Sequence, residues 1–160
     1  MSFLVQTFFE KRVLKEKEET NKKMVDFAKG KYQRVSEENY EDLLKTLNVG
    51  YLLRKAALAS TPQMEVSEDD GVWTIKTSTV LKSIELKFRV DEAFDEVTPD
   101  GREVSSIASI EGNKFIIVQN AKRVNQKSTR SIREFTADGC VYTLEVIGAD
   151  VVCTQKFKRL

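Results

Sequence analysis

Turn signals recur at hairpin spacing through most of this chain: Asp69-Asp70-Gly71, Pro99-Asp100-Gly101, Glu111-Gly112-Asn113, Asp138-Gly139 and Gly148-Ala149-Asp150. The segments between them mix β-branched, aromatic and polar residues and read as strands: Val72 to Thr79, Ile84 to Val90, Val104 to Ile110, Lys114 to Gln119, Ser128 to Thr136, Val141 to Val146 and Val151 to Lys158. None of the intervals is long enough for a helical crossover, so the sheet they form is antiparallel. A sheet this wide must hide its edges, which predicts a barrel or a clam-like pair of sheets. Its strands carry polar residues on both faces. Thr74, Lys76 and Ser78 alternate with Trp73, Ile75 and Thr77, and Arg133 sits between Ile132 and Glu134. A wall of that kind encloses water or a ligand.

One segment breaks the hairpin pattern. Tyr40, Leu43, Leu44 and Leu47 fall at i, i+3, i+4 and i+7, which puts them on one helical face, with Asn39 as N-cap. Asn48-Val49-Gly50 interrupts this helix, and a second runs from Tyr51 to Ala59 before Ser60-Thr61-Pro62 ends it. Helices of two turns are unstable alone, so their apolar faces must dock on the sheet as a cap.

Composition excludes several classes of function. The 160 residues suffice for one core and one domain, and a net charge of +1 from dispersed bases and acids gives no footprint for nucleic acid. Histidine is absent, which removes Ser-His and Cys-His catalysis and the commonest metal ligand. Cys140 and Cys153 are too few for a thiolate metal site and read as core thiols of a reducing compartment. Neither a cofactor nor a metal is expected. Asp95 and Glu96 have no nucleophile beside them, so no enzyme is expected either.

Gly30-Lys31-Tyr32, then Glu38-Asn39-Tyr40-Glu41-Asp42-Leu43-Leu44 and Gly50, resemble the opening signature of the intracellular lipid-binding proteins, the family of fatty-acid-binding and cellular retinoid-binding proteins. Phe94-Asp95-Glu96-Val97-Thr98, Asp100-Gly101-Arg102, Arg133-Glu134-Phe135 and Val151-Val152-Cys153-Thr154 extend the resemblance in order from Met24 to Leu160. Arg34 departs from it, since the family usually has an aliphatic residue there. The resemblance implies a mainly β, lipocalin-like fold: a ten-stranded antiparallel clam-like β-barrel capped by a short helix-turn-helix, with a lipid inside.

It also implies a binding site. In the family a late-strand arginine and an Arg-x-Tyr pair in the last strand hold a carboxylate. Here Arg133 matches the first, but the pair reads Gln155-Lys156-Phe157, which resembles the retinol-binding branch. Arg133, Gln155, Phe157 and Cys153 are therefore the expected ligand-binding residues, with one cation favouring a carboxylate held loosely or through water. Without the resemblance, Arg133 reads equally as an outward arginine paired with an acid, Gln155 as a solvated edge residue and Phe157 as plain core.

Leu81, Leu52 and Ala56 are expected to form an apolar portal beside the helix pair, Leu81 standing where relatives carry a phenylalanine; an ordinary exposed hairpin leucine is the alternative. Lys45, Arg54 and Lys55 match three bases that form a ligand-dependent nuclear-import surface in some relatives, and serve equally for membrane contact or simple solubility.

Residues 1–23 precede the barrel domain at 24–160 as an extension, helical or disordered, apolar from Met1 to Phe9 and rich in Lys and Glu from Lys11 to Lys23. Val5, Phe9 and Val13 form an apolar stripe suited to a membrane or to the barrel mouth. The start lacks the basic flank of a secretory signal, and no apolar run reaches the ~18 residues of a membrane span. The expected protein is a monomeric, non-catalytic carrier of one or two long-chain fatty acids, cytoplasmic and also nuclear, delivering its ligand to membranes or a nuclear receptor. The alternatives are a carrier of retinol or another neutral isoprenoid, and a closed barrel acting as a protein-interaction module.

Overall fold

A computed structural model of the chain describes residues 3–160, apart from the side chains at 21–22 and 24–26. Met1 and Ser2, the start of the apolar N-terminal stretch, lie outside the described residues. Helix α1 (Phe3–Ala28) leads into β1 (Gly30–Glu38), α2 (Tyr40–Thr46) and α3 (Tyr51–Ala59). Nine strands follow: β2 (Gln63–Asp69), β3 (Val72–Ser78), β4 (Ser83–Phe88), β5 (Ala93–Val97), β6 (Glu103–Glu111), β7 (Lys114–Ala121), β8 (Thr129–Phe135), β9 (Gly139–Val146) and β10 (Val152–Arg159).

All ten strands form one sheet, in the order β4-β3-β2-β1-β10-β9-β8-β7-β6-β5, with every neighbouring pair antiparallel. The sheet curls into a nearly closed barrel. Its two edges, β4 and β5, share no ladder and meet instead through the stacked rings of Phe88 and Phe94, whose centroids are 6.1 Å apart. Seven strands coincide with the segments read from sequence. Strands β1, β2 and β5 had no bounds there, because the first two adjoin the helices and β5 is only five residues long.

Register divides the lumen into two ends. At one end the interior is packed with rings: Phe115 meets Trp73, Phe88 and Phe135 edge-on at 4.6, 5.7 and 5.7 Å, and Tyr32 lies 5.7 Å from Phe135. The Tyr32 hydroxyl donates to the Ala28 carbonyl at 2.7 Å, fixing the exit of α1. At the other end lie α2, α3 and the hairpin turn 79–82, because Arg34 donates its backbone N–H to Pro62 and Gln63 pairs with Ser78.

The two lid helices are held differently. In α2, Leu43 and Leu44 are buried, and Leu43 joins Val146 and Cys153 in a second apolar cluster flanked by Tyr40 and Leu47. The expected face of this helix is thus the docked one. Helix α3 buries no residue, and Tyr51, Leu52 and Leu53 are exposed, so the expectation that both helices dock apolar faces is corrected. Asn39 occupies the N-cap position but does not cap through its side chain. Its amide donates to the Val152 carbonyl instead, and the Glu37 carboxylate accepts the Tyr40 N–H. The left-handed backbone at Asn39 (φ 59°) explains the change, since the side chain is turned toward β10.

Helix α1 runs as a single element to Ala28 and touches the barrel through β2 and through a Lys17–Asp91 ion pair at 2.6 Å. Phe3, Leu4, Val5, Phe8, Phe9, Val13 and Leu14 are all exposed on it.

Candidate functional site

One cross-strand row on the inner wall carries the site. Phe115, Arg133, Tyr142, Gln155 and Glu37 stand opposite one another across β7, β8, β9, β10 and β1. Arg133 is 9% exposed and faces inward, its guanidinium 4.1 Å from the centre of the Tyr142 ring. Its Nε and Nη1 are buried with no hydrogen-bond partner. No carboxylate lies within ion-pair distance of it among the described residues. A buried guanidinium in that state needs an anion or water, because leaving such donors unmade is costly.

Gln155 and Phe157 are buried on the same face, so the structure gathers them with Arg133 on one wall. Cys153 also points inward by parity but is sealed beneath Leu43, making it part of the α2 docking surface. Several other inward residues, among them Thr77, Ile84, Leu86, Phe94, Tyr142 and Leu144, remain partly exposed although they line the barrel. The aromatic packing fills one end, and the partly exposed inward residues Thr77, Ile84 and Leu144 lie toward the mouth.

Sequence reasoning missed a polar network across the lumen. Glu96 accepts hydrogen bonds from Ser106 and Gln119, Thr129 donates to Gln119, and Arg102 reaches toward Thr129 while paired with Asp100 at 2.7 Å. The signal was available in the alternation of β6 and β8, where Ser106, Thr129 and Ser131 fall among apolar inward positions. Asp95 points outward to Lys122 at 2.6 Å. Arg34, read only as a departure from a pattern, also faces inward: it pairs in register with buried Phe157.

Leu81, Leu52 and Ala56 all lie exposed on the mouth end, Leu81 in the 79–82 turn and the other two on α3. The basic trio is less free than its sequence suggests. Lys45 and Lys55 both lean on Glu41, at 3.7 and 3.5 Å, and these cations hold its carboxyl below the usual range, Lys45 having the larger effect. Arg54 turns back to donate to the Val49 carbonyl.

Both cysteines are free and buried. Burial pushes the Cys140 thiol up to about 12 and the Cys153 thiol up to about 11. The protonated thiols favour the fold below the unfolded value of ~8.5, and that support is lost as pH climbs through the raised values. At about pH 8 the folded protein should show no rapid reaction with dithionitrobenzoate, and both thiols should react on denaturation. A fast-reacting thiol in the native protein would contradict this burial.

The comparisons agree with this architecture. Residues 29–158 match the family model described as the Lipocalin / cytosolic fatty-acid binding protein family. Human cellular retinoic acid-binding protein 1 is 39% identical over 140 residues, covering 85% of this chain and 99% of that protein. The sodium/calcium exchanger regulatory protein 1 of Doryteuthis pealeii is 37% identical over 131 residues, covering 82% and 95%. Among solved structures, the REP1-NXSQ fatty acid transporter superposes with a TM-score of 0.76 at 36% identity, covering 83% of this chain and 96% of that one. The ten-stranded barrel, the helical lid and these matches lead to one conclusion: the chain belongs to the lipocalin / cytosolic fatty-acid binding protein family, in its intracellular lipid-binding branch of non-catalytic carriers of hydrophobic ligands.

Proposed function

We propose that this carrier takes long-chain fatty acids or related hydrophobic carboxylates into its lumen and delivers them to membranes or a receptor. The observation that supports this most is Arg133, a buried cation on the inner wall with unpartnered donors. An acyl tail contributes about 0.8 kcal/mol per buried CH₂, and the carboxylate answers the guanidinium. The fatty acid transporter and the retinoic acid-binding protein to which the chain is similar are named for ligands of this class.

A second reading, retinol or another neutral isoprenoid, is favoured by Gln155 and Phe157, which bring an amide and a ring to the wall rather than a charge and a hydroxyl. Delivery would use the mouth, where Leu52, Leu53, Val80 and Leu81 are exposed beside Lys45 and Lys55. The buried free thiols suit a cytoplasmic or nuclear setting, and the part of α1 before residue 24 is read as an arm preceding the carrier domain.

The test is a thermal melt of delipidated protein with oleate. Ligand at about a hundred times its Kd adds ~2.7 kcal/mol, which moves the midpoint of a chain this size by about 5–10 °C. Absence of any shift, with no lipid retained in native mass spectrometry, would refute the carrier reading. A larger shift with retinol than with oleate would select the second ligand class.

A further inference from the structure

Three arginines reach the inner wall at or above its middle, and they are not equivalent. Arg102 is neutralised by Asp100 and donates to the Lys127 carbonyl. Arg133 has no acidic partner. Nor, among the described residues, has Arg34, which sits half-buried on β1 under the lid, donates to the Ser60 carbonyl at 2.6 Å and stacks 5.4 Å above the Tyr40 ring. Its inward direction follows from alternation with buried Tyr32 and from register with Phe157; the bulge that follows throws Val35 out to solvent and returns Glu37 opposite Gln155.

These positions bracket Gln155 from both sides. Arg34 is its diagonal neighbour across β1 and β10, about 7–8 Å away between Cα atoms and so within reach of an arginine. Arg133 lies two strands the other way, about 10 Å at the usual strand spacing, and leans over Tyr142, the residue directly opposite Gln155. Burial pushes the Tyr40 hydroxyl up, and the Arg34 guanidinium stacked on its ring draws it back down. Of the carboxylates turned toward this wall, Glu96 on the far side is held by Ser106 and Gln119, and Glu37, opposite Gln155, is exposed and accepts the Tyr40 N–H.

Resting on the carrier reading, we infer that Arg34 is the second cation of the head-group site: a ligand carboxylate beside the Gln155 amide is flanked by Arg133 and by Arg34, which leaves the Ser60 carbonyl to reach it. The residue determines specificity for acids over alcohols of the same chain. It also means that glutamine rather than arginine at position 155 does not leave the site with a single positive charge, because the adjacent strand supplies the other.

The competing role is mechanical. Arg34 touches α2 through Tyr40 and the end of α3 through Ser60, so it serves equally well on geometry as a strap holding the lid. Ligand chemistry separates the two. Delipidated wild type, Arg34→Met, Arg34→Lys and Arg133→Gln are titrated with oleate and with oleyl alcohol. Arg34→Met, which keeps the unbranched stem, should weaken oleate about five- to tenfold and leave oleyl alcohol unchanged, while Arg34→Lys retains most of the acid affinity. Equal losses for acid and alcohol, no loss for either, or a lysine variant no better than methionine would overturn the assignment. Wild type that binds oleate while Arg34→Met binds it equally well removes only Arg34. Wild type that binds neither compound removes the carrier reading itself.

Discussion

Arg133→Gln should weaken oleate binding by about 10- to 100-fold and at the same time raise the melting temperature of the ligand-free protein. The first effect follows from the loss of a charge-assisted hydrogen bond, worth roughly 1.5–3 kcal/mol. The second follows from the state of the side chain without ligand: a guanidinium with Nε and Nη1 buried and unmatched, tolerated only through its stack on Tyr142. Removing an uncompensated buried charge commonly stabilises a fold by about 1–2 kcal/mol, or a few degrees here. Oleyl alcohol, which has no charge to pair, should bind the variant at least as well as the wild type. Calorimetric titration and a thermal melt read both effects from one preparation. If acid affinity and apo stability fall together, Arg133 is a structural residue and the head-group role fails.

The sequence made the fold legible wherever periodicity and turn chemistry agree. Asp69-Asp70-Gly71 and Glu111-Gly112-Asn113 each join two strands because their glycines adopt positive φ, 76° and 60°, at no steric cost. Leu43 and Leu44 were recognisable as a docked face by spacing alone. The fate of α3 was not, because whether Leu52 and Leu53 are covered depends on what lies across the mouth, and no local pattern encodes that. The site was half legible. Alternation with Ile132 and Glu134 turns Arg133 inward, and alternation with Tyr32 turns Arg34 the same way, but the bulge at Val35, a one-residue insertion that shifts parity beyond it and brings Glu37 rather than Ser36 opposite Gln155, leaves no mark in composition. Glu41 between Lys45 and Lys55 shows a related limit: three cations look like a uniform patch in the sequence, and the fold sets one acid between two of them.

Phe115→Ala should be the most damaging single truncation among the lumen-facing residues. Phe115 is fully buried on β7 and meets three rings edge-on, those of Trp73, Phe88 and Phe135, from three different strands. Removing it opens a cavity that rigid strands on every side cannot close, so the expected loss is about 3–5 kcal/mol, a large part of the stability of an ordinary domain. For this size the midpoint should drop by about 10–15 °C. Ser131→Ala is the matched control: it faces the same lumen from β8, two residues nearer the mouth than Arg133, where no ring cluster has formed, and should cost under ~1 kcal/mol. The contrast carries the structural point, because a container cannot be packed where its cargo lies. Stability must then be concentrated at the closed end, around Phe115 and Phe135, so that the wall from Ser131 toward the mouth can stay open. Urea unfolding of the two variants measures that division directly, and similar losses at both positions would mean that the packing is spread evenly along the barrel.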